Sequence, residues 1–107
     1  MGKILKYQKI IRQLLEEYAA IKPVNWEDAE HQVIADEKNH HYQLVRMGWK
    51  DDRYFHYAIF HFDIRDGKVW VRQNRTDAGI EIELVEMGVA PEDIYVSYRQ
   101  PSVEALG

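Results

Sequence analysis

His61, Asp63 and Arg65 alternate along the stretch FHFDIR, and on a regular strand such spacing sends all three side chains to one face. A histidine beside a carboxylate can move a proton, and an arginine next to the pair can hold an anion. General acid or base work further requires a cleft and a suitable pKa. The structural alternative for the trio is a hydrogen-bonded histidine and a turn-proximal aspartate that stabilise a hairpin; partner recognition is a third use. Metal binding is the other chemistry that imidazole and carboxylate invite. The five histidines are His31, His40, His41, His56 and His61. His40 and His41 are adjacent and diverge in a strand, His31 and His56 lie across turns, and no HExxH spacing occurs, so no metal site is expected. No glycine-rich phosphate cradle is present, so no cofactor is assigned. Catalytic residues are likewise assigned to none.

These side chains need a sheet to hold them, and residues 40–73 supply one. Tyr42, Leu44, Val45, Met47 and Trp49 form a first strand run. Lys50-Asp51-Asp52-Arg53 makes a turn, Tyr54 to Ile64 a long aromatic strand, and Asp66-Gly67 a hairpin signal before Val69-Trp70-Val71. Within the long strand one parity carries Tyr54, His56, Ala58, Phe60 and Phe62, and the other Phe55, Tyr57, Ile59 and His61. Both faces are bulky, whereas a sheet with one wet face alternates more cleanly. Helices on one face and a homomeric contact on the other reconcile the two, so a homodimer is expected.

The flanking segments supply the helices. Ile4, Tyr7, Ile11, Leu14, Leu15 and Tyr18 recur at spacings of three and four from about Lys3 to Ile21, with Ile10 at the stripe's edge, and Pro23 ends that helix. Glu30 to Ala35 reads as an edge strand, followed by a turn at Asp36-Glu37-Lys38-Asn39. Thr76 can cap a second helix running to Met87, with Asp77 in its first turn, Ile80, Leu84 and Met87 inward, and Gly88 as its stop. Ile94 to Tyr98 gives a final strand. The expected fold is α+β in one domain over residues 1–107: an amino-terminal helix, an antiparallel meander of about four strands, a second helix and a short returning strand.

Composition bounds the partners. Against 18 acidic residues stand 14 Lys and Arg, and the formal charge of −4 gives no global pull toward nucleic acid or an anionic membrane. Cysteine is absent, which removes thiol nucleophiles, disulfides and thiolate metal sites and suits a reducing compartment. No run approaches a membrane span and no signal-peptide core opens the chain, so a cytoplasmic location without membrane contact is expected. Two local basic patches stand out: Lys3, Lys6, Lys9 and Arg12 in the first helix, and Lys68 and Arg72 sharing strand parity with Trp70. The first is either a solvated face or a docking edge. The second, with Arg75 and with Trp70 or Tyr98 as a flat surface, is the best local nucleic-acid patch or else a charged strand edge around a packed aromatic. Six carboxylates and no Lys or Arg between Asp77 and Asp93 oppose DNA phosphate, so DNA contact is expected only weakly or through a complex.

From HHYQLVRMGW at residues 40–49, through IFHFDI at 59–64, DGKVWV at 66–71, the helix from Thr76 to Glu86 and GVAPEDI at 88–94, the chain resembles the XisI family. These are the fdxN element excision controlling factor proteins found mostly in cyanobacteria, and the resemblance covers most of residues 3–101. It implies a small α+β accessory factor that acts beside a recombinase in developmentally regulated excision of a DNA element. It also implies association with XisH, a nuclease-like protein. Members commonly continue into a proline-containing tail with Arg, aromatic and Thr residues. Here Gln100 to Gly107 stops early, so the resemblance does not carry that tail's contacts to this chain. The reading is a non-catalytic accessory subunit. Its alternatives are a small enzyme or direct DNA-contacting factor using His61 and Asp63, and an inhibitor or antitoxin-like subunit of the nuclease-like partner.

Overall fold

A computed structural model describes residues 2–21 and 29–97. The expected stop at Pro23, the connection through Trp26, the flat surface at Tyr98 and the tail all lie outside these residues. Helix α1 (Gly2–Ala19) is followed by β1 (Ala29–Asp36), β2 (His41–Lys50), β3 (Arg53–Arg65) and β4 (Lys68–Asn74). Then come α2 (Ile80–Met87), a 3-10 turn (Pro91–Asp93) and β5 (Ile94–Val96). The sheet order is β1-β2-β3-β4-β5. The first four strands form an antiparallel meander, and β5 returns parallel to β4 after α2.

The turns follow from local chemistry. Asp66 and Gly67 both occupy positive φ, at 55° and 73°, which is the backbone that a two-residue hairpin with right-handed strand twist requires. Asp36 closes the β1–β2 turn by accepting from the backbone N–H groups of Lys38 and Asn39. At the end of α2, Gly88 sits at φ 121°, a backbone conformation that residues with a side chain rarely adopt, and the Lys6 side chain lies over it.

Tyr7, Ile10, Ile11, Leu14 and Leu15 of α1 and Ile80 and Leu84 of α2 join Tyr42, Leu44, Phe60, Phe62, Ile64, Val69 and Val71 in one core. Both described helices therefore cover the same sheet face. Three expectations change in detail. Ile10 is core rather than edge, while Ile4 is 39% exposed, because the contact with the sheet keeps Tyr7, Ile11, Leu14 and Leu15 but is turned slightly toward the Ile10 side of the expected stripe. Thr76 does not cap α2: its hydroxyl donates to Asn74 and accepts from the Ala78 N–H, tightening the preceding loop, and Gly79 precedes the helix without a side-chain cap. Asp77 consequently stays in that loop, and Glu81 and Glu83 occupy the first turn.

The third change is one of parity. The β2–β3 register shifts between Leu44 and Val45, where Phe60 and Ala58 are the partners and Ile59 is the extra residue on β3. That bulge breaks strict alternation, so Phe60 and Phe62 enter the core while Tyr54, His56 and Ala58 stay on the opposite face. The strict parity set that joined all five is thus split. A second bulge, at Arg72 between Val71 and Gln73, restores the match of β4 to the bent β3.

Opposite ends of the chain are tied beneath this layer. The Tyr7 hydroxyl donates to Asp93 Oδ2 at 2.7 Å and accepts from the Ala90 N–H, and Lys3 Nζ reaches the same carboxylate oxygen at 2.9 Å. Hydrogen bonds from Tyr7 and then Lys3 hold the Asp93 carboxyl below its ordinary range against the opposing effect of burial. Its stabilising contribution is therefore present above the unfolded-state value, about 3.9, and disappears as pH falls through the lower folded-state value. Asp93→Asn should lower the urea midpoint at pH 7, and its deficit relative to the unmodified chain should shrink at pH 3. A deficit independent of pH would remove the carboxylate from this account.

Candidate functional site on the uncovered sheet face

The face that the described helices leave open is built by alternate residues of all five strands. Ile34, Trp49, Tyr54 and Tyr95 are 45, 57, 54 and 46% exposed there. Trp49 and Tyr54 are a cross-strand pair with ring centroids 5.3 Å apart, and Trp70 and Tyr95 are another at 4.4 Å. Large apolar groups on the sheet surface are thus left to water at both of its sides.

Between them lies a polar centre. Asp63 has a side chain only 3% exposed, and its Oδ1 lies 2.6 Å from His41 Nδ1 and 3.0 Å from His61 Nε2. Arg72 Nε donates to the other oxygen, Oδ2, at 2.8 Å. Burial pushes the Asp63 carboxyl up, but the hydrogen bonds from Arg72 and His41 and the nearby histidines outweigh it, leaving it below the ordinary carboxylate range. Asp63 is held as an acceptor rather than as an acid. Beside it an open depression of about 370 Å³ is lined by Ile34, Asp36, His41, Gln43 and His61.

The structure brings together two members of the expected polar trio. His61 and Asp63 touch, whereas Arg65 lies with its guanidinium 5.6 Å from the Trp70 ring centre and does not reach the carboxylate. Arg72, expected beside Trp70, is there at 5.4 Å and also supplies the charge opposite Asp63. Lys68 is exposed at the end of β4. Sequence reasoning missed His41 as a partner of Asp63. His40 and His41 do part company, His40 facing Gln8 and Tyr42, but His41 stands directly across from Asp63. Only the bulge creates that pairing: counted back from the Lys50–Arg53 turn without it, His41 faces Phe62.

Two of the four basic residues of α1 form ion pairs within the chain. Lys3 pairs with Asp93 and Arg12 with Glu37, the Lys6 side chain lies near Gly88, and Lys3, Lys6 and Lys9 are all exposed. A second depression, of about 320 Å³ on the helix-side margin, is lined by Arg46, Tyr57, Ile59, Arg75 and Thr76. There Arg46 Nε donates to His31 Nε2 at 3.0 Å, which leaves His31 Nδ1 to donate to the Ala19 carbonyl. No helix among the described residues is long and apolar enough to cross a membrane.

Comparison with known proteins places this architecture. A solved XisI-like protein from Anabaena variabilis ATCC 29413 is 40% identical, superposes with a TM-score of 0.83, and the match covers 92% of this chain and 90% of that one. The fdxN element excision controlling factor XisI from the same organism is 23% identical with a TM-score of 0.78 over 98% of this chain and 95% of that one, a likeness of fold. No curated protein matches. The XisI protein family model matches residues 1–106. Meander, parallel return strand and helix-covered face recur in relatives over nearly the whole length, and the chain belongs to the XisI family.

Proposed function

We propose that this chain is an accessory or controlling factor without catalytic chemistry of its own, which works by seating a protein on the uncovered sheet face. The observation that supports this reading is the set of exposed Ile34, Trp49, Tyr54 and Tyr95 around a carboxylate whose hydrogen bonds are already satisfied. The first occupant is a second copy of the chain. On this face β1 carries Glu30, Gln32 and Asp36, whereas β3 and β4 carry Arg65, Lys68 and Arg72. A two-fold axis parallel to the strands lays β1 of one copy over β4 of the other, so acidic and basic margins meet twice. The role that the Anabaena relative's name carries, control of fdxN element excision, comes to this chain as part of the same proposal. A nuclease-like protein of the XisH type would then engage the assembled pair, and DNA would be reached through that complex. The cytoplasm, where such DNA lies, is the compartment this role requires.

Light scattering after size exclusion should give the mass of two chains at micromolar concentration. Tyr95→Glu should reduce it to one chain with an unchanged far-ultraviolet circular dichroism spectrum. A one-chain mass for the unmodified protein would overturn the second copy as occupant, and capture of a nuclease-like protein by that monomer would reassign the face to it. The small-enzyme reading rests on His61 touching Asp63 beside the 370 Å³ depression. It would be preferred if a substrate were found whose turnover falls in His61→Gln.

A further inference from the structure

We propose that His41, His61 and Asp63 form a three-ligand site for a divalent transition-metal ion of the zinc class. His41 Nδ1, His61 Nε2 and one Asp63 carboxylate oxygen all lie within 4.8 Å of one another. A tetrahedral ion with bonds of about 2.0–2.2 Å needs ligand atoms roughly 3.3 Å apart. The two nitrogens stand 2.6 and 3.0 Å from Asp63 Oδ1 and within 4.8 Å of each other, so each has to draw back from that oxygen by about 0.3–0.7 Å, with the two rings turning toward a common centre, to admit the ion. His41, whose side chain is half exposed, can make that movement by side-chain rotation.

The backbone fixes the rest. His41 and Asp63 are direct cross-strand partners and His61 is two residues along the same face, so all three donors spring from a paired ladder rather than from loops. Arg72 holds Asp63 Oδ2 at 2.8 Å, which orients the carboxylate with Oδ1 toward the histidines as an outer-shell partner does in known metal centres. Arg72 is also a positive charge near the site. Asp36, lining the adjoining depression, supplies a negative one in return. Two imidazoles and a carboxylate, with no thiolate in the chain, suit zinc, cobalt or nickel rather than calcium or magnesium. The depression leaves the fourth position to water or to a donor from whatever sits on that face. The inference does not depend on the association reading, because it is measured on the chain alone.

Titration of the full-length, tag-free chain with Zn²⁺ against a colorimetric chelator tests it, with imidazole nitrogen NMR on the same samples. One ion per chain is expected, with His41 Nδ1 and His61 Nε2 resonances moving together. His41→Gln and His61→Gln should each weaken binding by at least about tenfold. His56→Gln, exposed on the same face outside the cluster, should leave it unchanged. Absence of saturable uptake, or uptake equal in all three variants, would overturn the proposal. So would a response at the other histidines with His41 and His61 unmoved, a result readable on the unmodified chain even if a variant fails to fold.

Discussion

Phe60→Ala should cost the fold about 3–5 kcal/mol, the loss expected when a large aromatic is removed from a close-packed interior. Phe60 is fully buried, with the Tyr18 ring edge-on at 5.0 Å and Phe62 stacked at 5.8 Å. It is the point where α1 meets the longest strand just past the bulge, so the space left cannot be closed by one neighbour's rotation. Against a total stability of about 5–15 kcal/mol, such a loss removes about a fifth to a third of what keeps the chain folded at the upper end of that range, and most or all of it at the lower end. Urea unfolding followed by circular dichroism measures it. A loss below about 1 kcal/mol would mean that the aromatic layer is loosely packed.

Asp63→Ala comes next in size, at about 2–3 kcal/mol. Removing one partner of a buried ion pair typically costs about 3–5 kcal/mol, because the other charge stays stranded. Here the value is discounted, since the Arg72 side chain is 34% exposed and the histidines can turn to water. A double-mutant cycle with Arg72→Ala should show that much of the loss is shared between the two sites. Fully additive losses would separate Arg72 from Asp63 and make the cluster a coincidence of surface groups.

Much of the fold was legible because its signals are local. Asp66-Gly67, the three-and-four spacing of Tyr7, Ile11 and Leu14, and Gly88 each act through neighbouring backbone, and each does in the structure what its chemistry demands. Helices on one face and bulky residues left over on the other also followed from counting. What was not legible depends on Ile59. A bulge is chosen by the packing of distant residues, here by which register buries Phe60 and Phe62 under α1, and no short stretch announces it. The same absence hides the pairing of His41 with Asp63, so spacing alone points to His61, Asp63 and Arg65, whereas the sheet assembles His41, His61, Asp63 and Arg72. Thr76 fails as a cap for a different, local reason: its hydroxyl donates to Asn74 two residues back.

Of the chain's three tryptophans, Trp49 and Trp70 both stand on the helix-free side of the sheet, and Trp26 lies outside the described residues. Neither of the first two belongs to the core, which is made of aliphatic, tyrosine and phenylalanine side chains. Indole emission from these two is consequently a probe of surface occupancy: a docked protein moves them from water into a drier environment, while loosening of the interior alters them only after the sheet itself comes apart.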